Sequence, residues 1–296
     1  MTDFEPICHQ IKRASGKELK PDSALRLPGG GISRAWRISG PRYEAFVKVH
    51  DENRIDMFAA EAVGLDEIAS HGFLRVPEVL GVGTSGPEAW LALEWIEEHG
   101  RPSAHAQRIF GEHLAKQHLL TQPYFGWRRD NAIGTTPQQN PPLEDWGVFF
   151  ADYRIGAQLD FGLKNDFPPD LIETGRRLQD AIPDVLAGYR PQASLLHGDL
   201  WGGNWSVDSA GRPFTFDPAV YYGDAETDLA MTRLFGGFSA DFYAVYDEHL
   251  APSDGRAFRS VLYNLYHILN HANLFGSGYI GQARRTIDAL LAEIKA

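Results

Sequence analysis

The sequence predicts an α+β fold in two lobes, a small β-rich N-lobe over residues 1–96 and a larger, mostly helical C-lobe over residues 97–296. Short apolar or alternating runs separated by Gly, Pro and Ser turns crowd the first third of the chain. Apolar residues at helical spacing dominate the remainder. Between the two, Glu97-Glu98-His99-Gly100-Arg101-Pro102 breaks the pattern and marks the boundary.

Composition narrows the functional class. The chain has 296 residues, 43% hydrophobic and 23% charged, which provides for a sizeable core without any run of ~18 apolar residues that would span a membrane. The first ten residues lack the basic start and apolar run of a signal peptide, and a single Cys8 permits no internal disulfide and no thiolate metal cluster. A cytoplasmic location is expected. A net charge of −11 argues against nucleic acid or an anionic membrane as the main partner, and suits a small, cationic one.

Phe4, Ile7, Cys8 and Ile11 recur at helical spacing and predict a helix over 4–14. Residues 25–38 read as strand, glycine turn and strand; Gly29, Gly30 and Gly31 allow main-chain N–H groups to approach phosphate oxygens closely. Another alternating strand, 43–49, carries Lys48, and a helix from about 54 to 71 carries Glu61, thirteen positions later. Lysine in such a strand ordinarily points to solvent. The order of glycine turn, strand lysine and helix glutamate is instead that of an ATP-binding kinase lobe, with Lys48 on the α/β-phosphates and Glu61 as its partner. A solvated helix face is the competing reading for Glu61. Strands 79–82 and 89–96 follow, and the second ends at Glu94, Trp95 and Ile96, whose main-chain groups are expected to form a hinge for adenine.

Ser103 is expected to cap a helix running to about 120, whose His105, His113 and His118 lack the spacing of a helical metal site and read as surface or packing residues. Residues 125–142, rich in Asn, Gln and Pro, read as a long loop. Helices are predicted over 146–161, with an aromatic face of Trp146, Phe149, Phe150 and Tyr153, and over 171–186. Further helices are expected near 238–249, 256–275 and 280–296. His267 and His271 stand four apart on the middle one, where packing or a substrate hydrogen bond is preferred to zinc.

Between the two helical groups lies Leu196-His197-Gly198-Asp199-Leu200-Trp201-Gly202-Gly203-Asn204, followed by Phe214-Thr215-Phe216-Asp217-Pro218. His197, Asp199, Leu200 and Asn204 fit the catalytic-loop pattern H-x-D-L-x-x-x-N. Asp199 is placed to take a proton from a hydroxyl nucleophile, while Asn204 and Asp217 are placed to hold Mg²⁺ against a triphosphate. A tight hairpin over 205–216 is expected to bring the two metal-binding candidates to one end of a ribbon. Asp224 reads as a helix cap, and Asp228 as a possible brace for the catalytic loop. The segment from Asp217 to Asp224 is too short for an ordinary activation loop, which argues against a protein kinase.

With these residues in place, the sequence resembles the fructosamine/ketosamine-3-kinase family, relatives of the aminoglycoside phosphotransferases within the protein-kinase-like fold. The resemblance is carried by Leu27-Pro28-Gly29-Gly30, Phe46-Val47-Lys48, Asp130-Asn131-Ala132-Ile133-Gly134 with Thr136-Pro137-Gln138-Gln139-Asn140, the loop 196–204 with its Trp201, and Asp217 to Gly223. It implies phosphorylation by ATP and Mg²⁺ of the 3-hydroxyl of a ribulosamine or fructosamine, which makes the adduct labile and restores the amine. Trp201, Asn131, Trp146 and His271 are candidate sugar-side contacts. Many members carry Cys after the paired loop glycines; this chain has Gly31, so redox switching through that thiol is not expected. A phosphotransferase for another amino-containing alcohol, aminoglycoside- or choline-like, and a silent nucleotide-binding module are the alternatives.

Overall fold

The computed structural model describes residues 2–28 and 31–295. The chain forms two compact units, Met1–Phe110 with Trp205–Pro218, and Gly111–Asn204 with Ala219–Ala296. In both, an antiparallel sheet or ribbon supports a loop that carries candidate site residues.

The first unit opens with α1 (Phe4–Ser15), capped by Asp3 and ended by Gly16 in the left-handed conformation. Five strands follow, β1 (Leu25–Arg26), β2 (Arg34–Ser39), β3 (Glu44–Asp51), β4 (Val79–Ser85) and β5 (Glu88–Glu94), with α2 (Ile55–His71) between β3 and β4. They form one antiparallel sheet in the order β1-β2-β3-β5-β4. Strand geometry sends alternate side chains to opposite faces. Ala45, Val47 and Val49 therefore join Phe4, Ile7, Cys8 and Ile11 of α1 in one core, while Lys48 points the other way, to α2. Burial pushes the Cys8 thiol up to about 11, which makes it a packing residue rather than a nucleophile.

Helix α3 (Ala104–His118) begins as expected, with the Ala106 N–H on Ser103 Oγ at 3.1 Å. The second unit continues with β6 (Thr121–Gln122). The stretch expected as a plain loop contains a hairpin, β7 (Asn131–Ile133) and β8 (Thr136–Gln138), because its Asn and Gln side chains find buried partners instead of water. The helix expected over 146–161 is not continuous. It runs as α4 (Trp146–Phe150), a π-helical segment (Ala151–Gly156) and α5 (Ala157–Lys164). The widened π turn accommodates Arg154, which is fully buried.

Helix α6 (Pro169–Val185) leads to β9 (Ala193–Leu196), which lies between β12 (Tyr221–Gly223) and β6 in a three-stranded sheet. The ribbon of β10 (Trp205–Val207) and β11 (Pro213–Thr215) belongs to the first unit, where Trp205 stacks on Phe110. Helices α7 (Glu226–Leu234), α8 (Ala240–His249), α9 (Arg256–Phe275) and α10 (Ser277–Ile294) complete the second unit. Among the described residues no helix is long and apolar enough to cross a membrane.

Candidate active site

The first unit places three of the expected residues together. Lys48 Nζ lies 2.7 Å from Glu61 Oε1 and 2.7 Å from Asp217 Oδ1. Glu61 reaches it because it shares the buried face of α2 with Phe58, Leu65 and Ile68, at helical spacing, so the solvated-face reading does not hold. Burial disfavours charge on the Lys48 ammonium, but the two carboxylates more than offset it and its pKa is raised. Burial pushes Glu61 up; Lys48 pulls it down, and Asp217 on the same ammonium adds to the rise. Asp217 itself has φ +56°, the left-handed region that few residues other than glycine occupy. Such backbone at a polar, half-exposed side chain is characteristic of functional positions.

Of the glycine turn, Gly29 and Gly30 lie outside the described residues. A Cβ built on Gly31 would meet nothing within 4 Å among the described residues. No internal packing therefore requires glycine there. At the expected hinge, the N–H of Glu94 goes to Glu78 O and that of Trp95 to Glu44 O, while the Trp95 indole donates to Glu97 and lies under the Arg37 guanidinium. Ile96 follows these two.

The second unit builds the loop 197–204. His197 N–H donates to Asp228 Oδ2 at 2.7 Å and Gly198 N–H to Asp228 Oδ1 at 2.9 Å, so one carboxylate grips two successive amides. Burial alone would raise the Asp228 pKa, but the His118 hydrogen bond and the neighbouring histidines and N–H groups lower it. His118, which read as a surface or packing residue, is wholly buried here. Its Nε2 meets Asp228 at 3.1 Å and its Nδ1 meets Tyr246 Oη at 2.7 Å. Gly198 has φ +85°, and any side chain would run into the Ala219 carbonyl. At the far end of the loop, Asn204 Nδ2 donates to Asp199 O at 2.8 Å and to Asp199 Oδ2 at 3.2 Å, which orients both side chains. Asp224 is expected to cap α7, but the capping position is taken by Ala225; Asp224 stands one residue earlier and accepts the Glu226 N–H at 3.0 Å.

A fructosamine kinase family model matches residues 4–293. The chain belongs to the fructosamine kinase family. It is 38% identical to a "probable ketoamine kinase" of Synechocystis over 97% of each chain. Its structure is similar to that of a "putative fructosamine-3-kinase" of Haemophilus somnus, with TM-score 0.88 and 28% identity over 96% of each chain. An aminoglycoside phosphotransferase, APH(4)-Ia, solved with ADP and hygromycin B, shares the fold at 17% identity and TM-score 0.65, covering 97% of this chain and 98% of that one. The α+β kinase-like fold expected from the sequence is thus the observed one.

In this family member the hairpin β7-β8 serves the main chain after Asp217-Pro218. Asn131 Nδ2 donates to Val220 O at 2.7 Å, and Gln138 Nε2 to Asn131 Oδ1 and to Ala219 O. Asn140 Nδ2 also donates to Asn131 Oδ1, and Arg154 in turn donates to Asn140 Oδ1 at 2.7 Å and to the Gln139 carbonyl. The guanidinium lies 4.0 Å from the Tyr221 ring centroid and 4.6 Å from that of Phe149. Asn131 is therefore a brace, its amide committed to protein partners.

The sugar-side candidates separate. Trp146 is a core residue, 3% exposed among Phe125, Phe149, Phe150 and Tyr263, with its indole N–H on Tyr263 Oη; no face remains for a sugar. Trp201 is 39% exposed, and its indole lies over the missing side chain of Gly203, where a Cβ would overlap the ring. His271 is half-buried, with Nδ1 on the His267 carbonyl at 2.8 Å. Burial lowers its pKa, and pushes that of His267 down to about 3, so both rings are neutral at neutral pH. Among the described residues no three His, Cys, Asp or Glu side chains gather as a metal site. Sequence reasoning did not pair His118 with Asp228, and it singled out neither Arg154 nor Phe235. For Arg154 a signal existed: it stands four positions after Phe150 on a helix whose aromatic face was evident.

Proposed function

We propose that this protein transfers the γ-phosphoryl group of ATP to the 3-hydroxyl of ketosamines, ribulosamine or fructosamine. The observation that carries this reading is Lys48 held by both Glu61 and Asp217 in a chain of the fructosamine kinase family. A 3-phosphate on such an adduct is labile, so the product releases the original amine and reverses glycation.

Residues 1–96 serve the nucleotide and residues 97–296 the acceptor, with Asp217 contributed from the later part of the chain. Lys48 binds the α/β-phosphates, and Glu61 fixes its ammonium. Gly31, which packing leaves unconstrained, suits close approach of phosphate to main chain, with Gly29 and Gly30 beside it in sequence. Because the Glu94 and Trp95 amides are committed, adenine falls to the carbonyls of this segment and to Ile96. Asn204, through its amide oxygen, and Asp217 would hold Mg²⁺. One carboxylate and one amide suit that ion, which retains waters and substrate oxygens and needs no cage of acids. When bound, Mg²⁺ neutralises charge on the triphosphate.

Asp199 accepts the proton of the 3-hydroxyl as the hydroxyl oxygen attacks the γ-phosphorus, and the bond from that phosphorus to the β,γ-bridging oxygen breaks to release ADP. The transition state is loose, so alignment matters more than basicity, and the Asn204 hydrogen bond supplies it. Trp201 stacks on the sugar ring, beside His271. The single cysteine of the sequence suits a reducing compartment, and we place the enzyme in the cytoplasm.

The test is phosphate transfer from Mg·ATP to synthetic ribulosamine and fructosamine, with kanamycin and choline in parallel. Transfer to ketosamines that disappears in Asp199→Asn, with ATP affinity retained, is the expected result. Transfer to kanamycin or choline but to neither ketosamine would overturn the assignment, as would nucleotide binding without any transfer.

A further inference from the structure

The second unit exposes a continuous row of aromatic rings that starts on the catalytic loop and leads away from it. Trp201 meets Phe235 edge-on with centroids 5.9 Å apart, Phe235 meets His271 at 5.0 Å, and His271 meets Phe275 at 5.5 Å and Tyr279 at 5.1 Å. Three of these rings are large apolar groups left substantially open: Trp201 39%, Phe235 41% and Phe275 56% exposed. Isolated exposed apolar residues need no explanation, but several in ring contact form a patch of the kind that marks a binding surface.

The row is fixed to the loop by backbone. A Cβ at Gly202 would lie 2.7 Å from the Gly236 carbonyl oxygen, and one at Gly237, φ +102°, would lie 2.6 Å from Gly202 Cα. Only bare glycines permit this approach. Phe235, which directly precedes the pair, is thereby held in register with Trp201 and with Asp199 two positions earlier.

We infer that this row is a subsite for the amine-bearing half of the ketosamine, selecting adducts whose nitrogen carries an aromatic or bulky alkyl group. The inference rests on the ketosamine kinase reading. In such a substrate the amine is one carbon from the sugar carbonyl, so a sugar on Trp201 projects its nitrogen substituent along the protein surface beside the loop. The nitrogen is a protonated secondary amine, which ring faces attract, and its substituent gains by leaving water against Phe235 and Phe275. The neutral His271 ring adds no opposing charge, and the net charge of −11 favours a cationic ligand.

The experiment compares N-methyl- and N-benzyl-ribulosamine as substrates, with the intrinsic tryptophan fluorescence of the protein as a parallel binding signal. Wild type is expected to favour the benzyl compound in kcat/KM by about tenfold, through KM. Phe275→Ala, a change at an exposed position, and the double variant Phe235→Ala/Phe275→Ala are expected to remove that preference by raising KM for the benzyl compound about tenfold more than for the methyl compound. Equal kcat/KM for the two substrates in wild type, a preference that survives both variants, or an equal loss on both substrates in Phe275→Ala would overturn the subsite. So would a change in oligomeric mass in Phe275→Ala without any substrate preference, which would assign the patch to a second copy of the chain. No transfer to either compound would instead defeat the kinase reading, and the fluorescence titration would still decide whether the benzyl group binds better.

Discussion

Lys48 Nζ and Asp217 Oδ1 lie 2.7 Å apart although 169 positions separate them in the chain. Glu61 shares the same ammonium, so removing the lysine leaves two carboxylates facing each other in a desolvated place. Lys48→Ala is expected to cut turnover by at least about 100-fold and weaken ATP affinity, and Glu61→Ala to do the same less severely. Steady-state kinetics with ATP titration check this. Unchanged affinity and turnover in both variants would remove the pair from the mechanism.

Asp228 accepts the amides of His197 and Gly198 through its two oxygens. In Asp228→Asn one of these N–H groups faces another N–H, a donor without an acceptor, at a cost of about 1–3 kcal/mol. Urea unfolding should register that loss. Because the loop carries Asp199, kcat should fall more than the nucleotide KM rises; an unaltered kcat at reduced stability would make Asp228 merely structural.

Asp224 is fully buried, and desolvation raises its carboxyl to about 6, with Glu226 nearby adding to the rise. The folded chain therefore keeps this proton longer than the unfolded one, so this group's contribution to stability is complete below the ordinary carboxylate value and declines as pH rises towards 6. Across that window, from about pH 4 to about pH 6, the loss amounts to about 3 kcal/mol. Asp224→Asn keeps an acceptor for the Glu226 N–H and cannot ionise, so relative to wild type it should gain stability over the same window. Parallel pH profiles for the two proteins would contradict the assignment.

Arg154 joins the π-helical segment to the amides that hold Ala219 and Val220. Arg154→Met leaves Asn140 Oδ1 and the Gln139 carbonyl without that donor and should destabilise by about 2 kcal/mol or more. The chain it supports follows directly on Asp217, so the Mg²⁺ concentration at half-maximal rate should rise as well. Arg154→Lys, which keeps the charge but not the fork, should restore less than half of either effect; full restoration would show that charge alone matters.

Most elements and their order were legible in the sequence because local periodicity encodes them; the β7-β8 hairpin and the π-helical break within 146–161 were not. The apolar spacing of α1 and α2, the alternation around Lys48 and the H-x-D-L-x-x-x-N spacing depend only on how neighbouring residues share a face or a turn. The motif at 196–204 and the ribbon register of Trp205 with Thr215 follow from the same short-range rules. Tertiary structure alone decided which side chains of similar appearance meet. It buried His118 against Asp228, withdrew Trp146 and Asn131 from the sugar side, and set Phe235 beside Trp201. Each of these pairs partners distant in sequence, and their approach is set by packing and by the need to satisfy buried polar groups. Spacing along one stretch of chain carries no record of either.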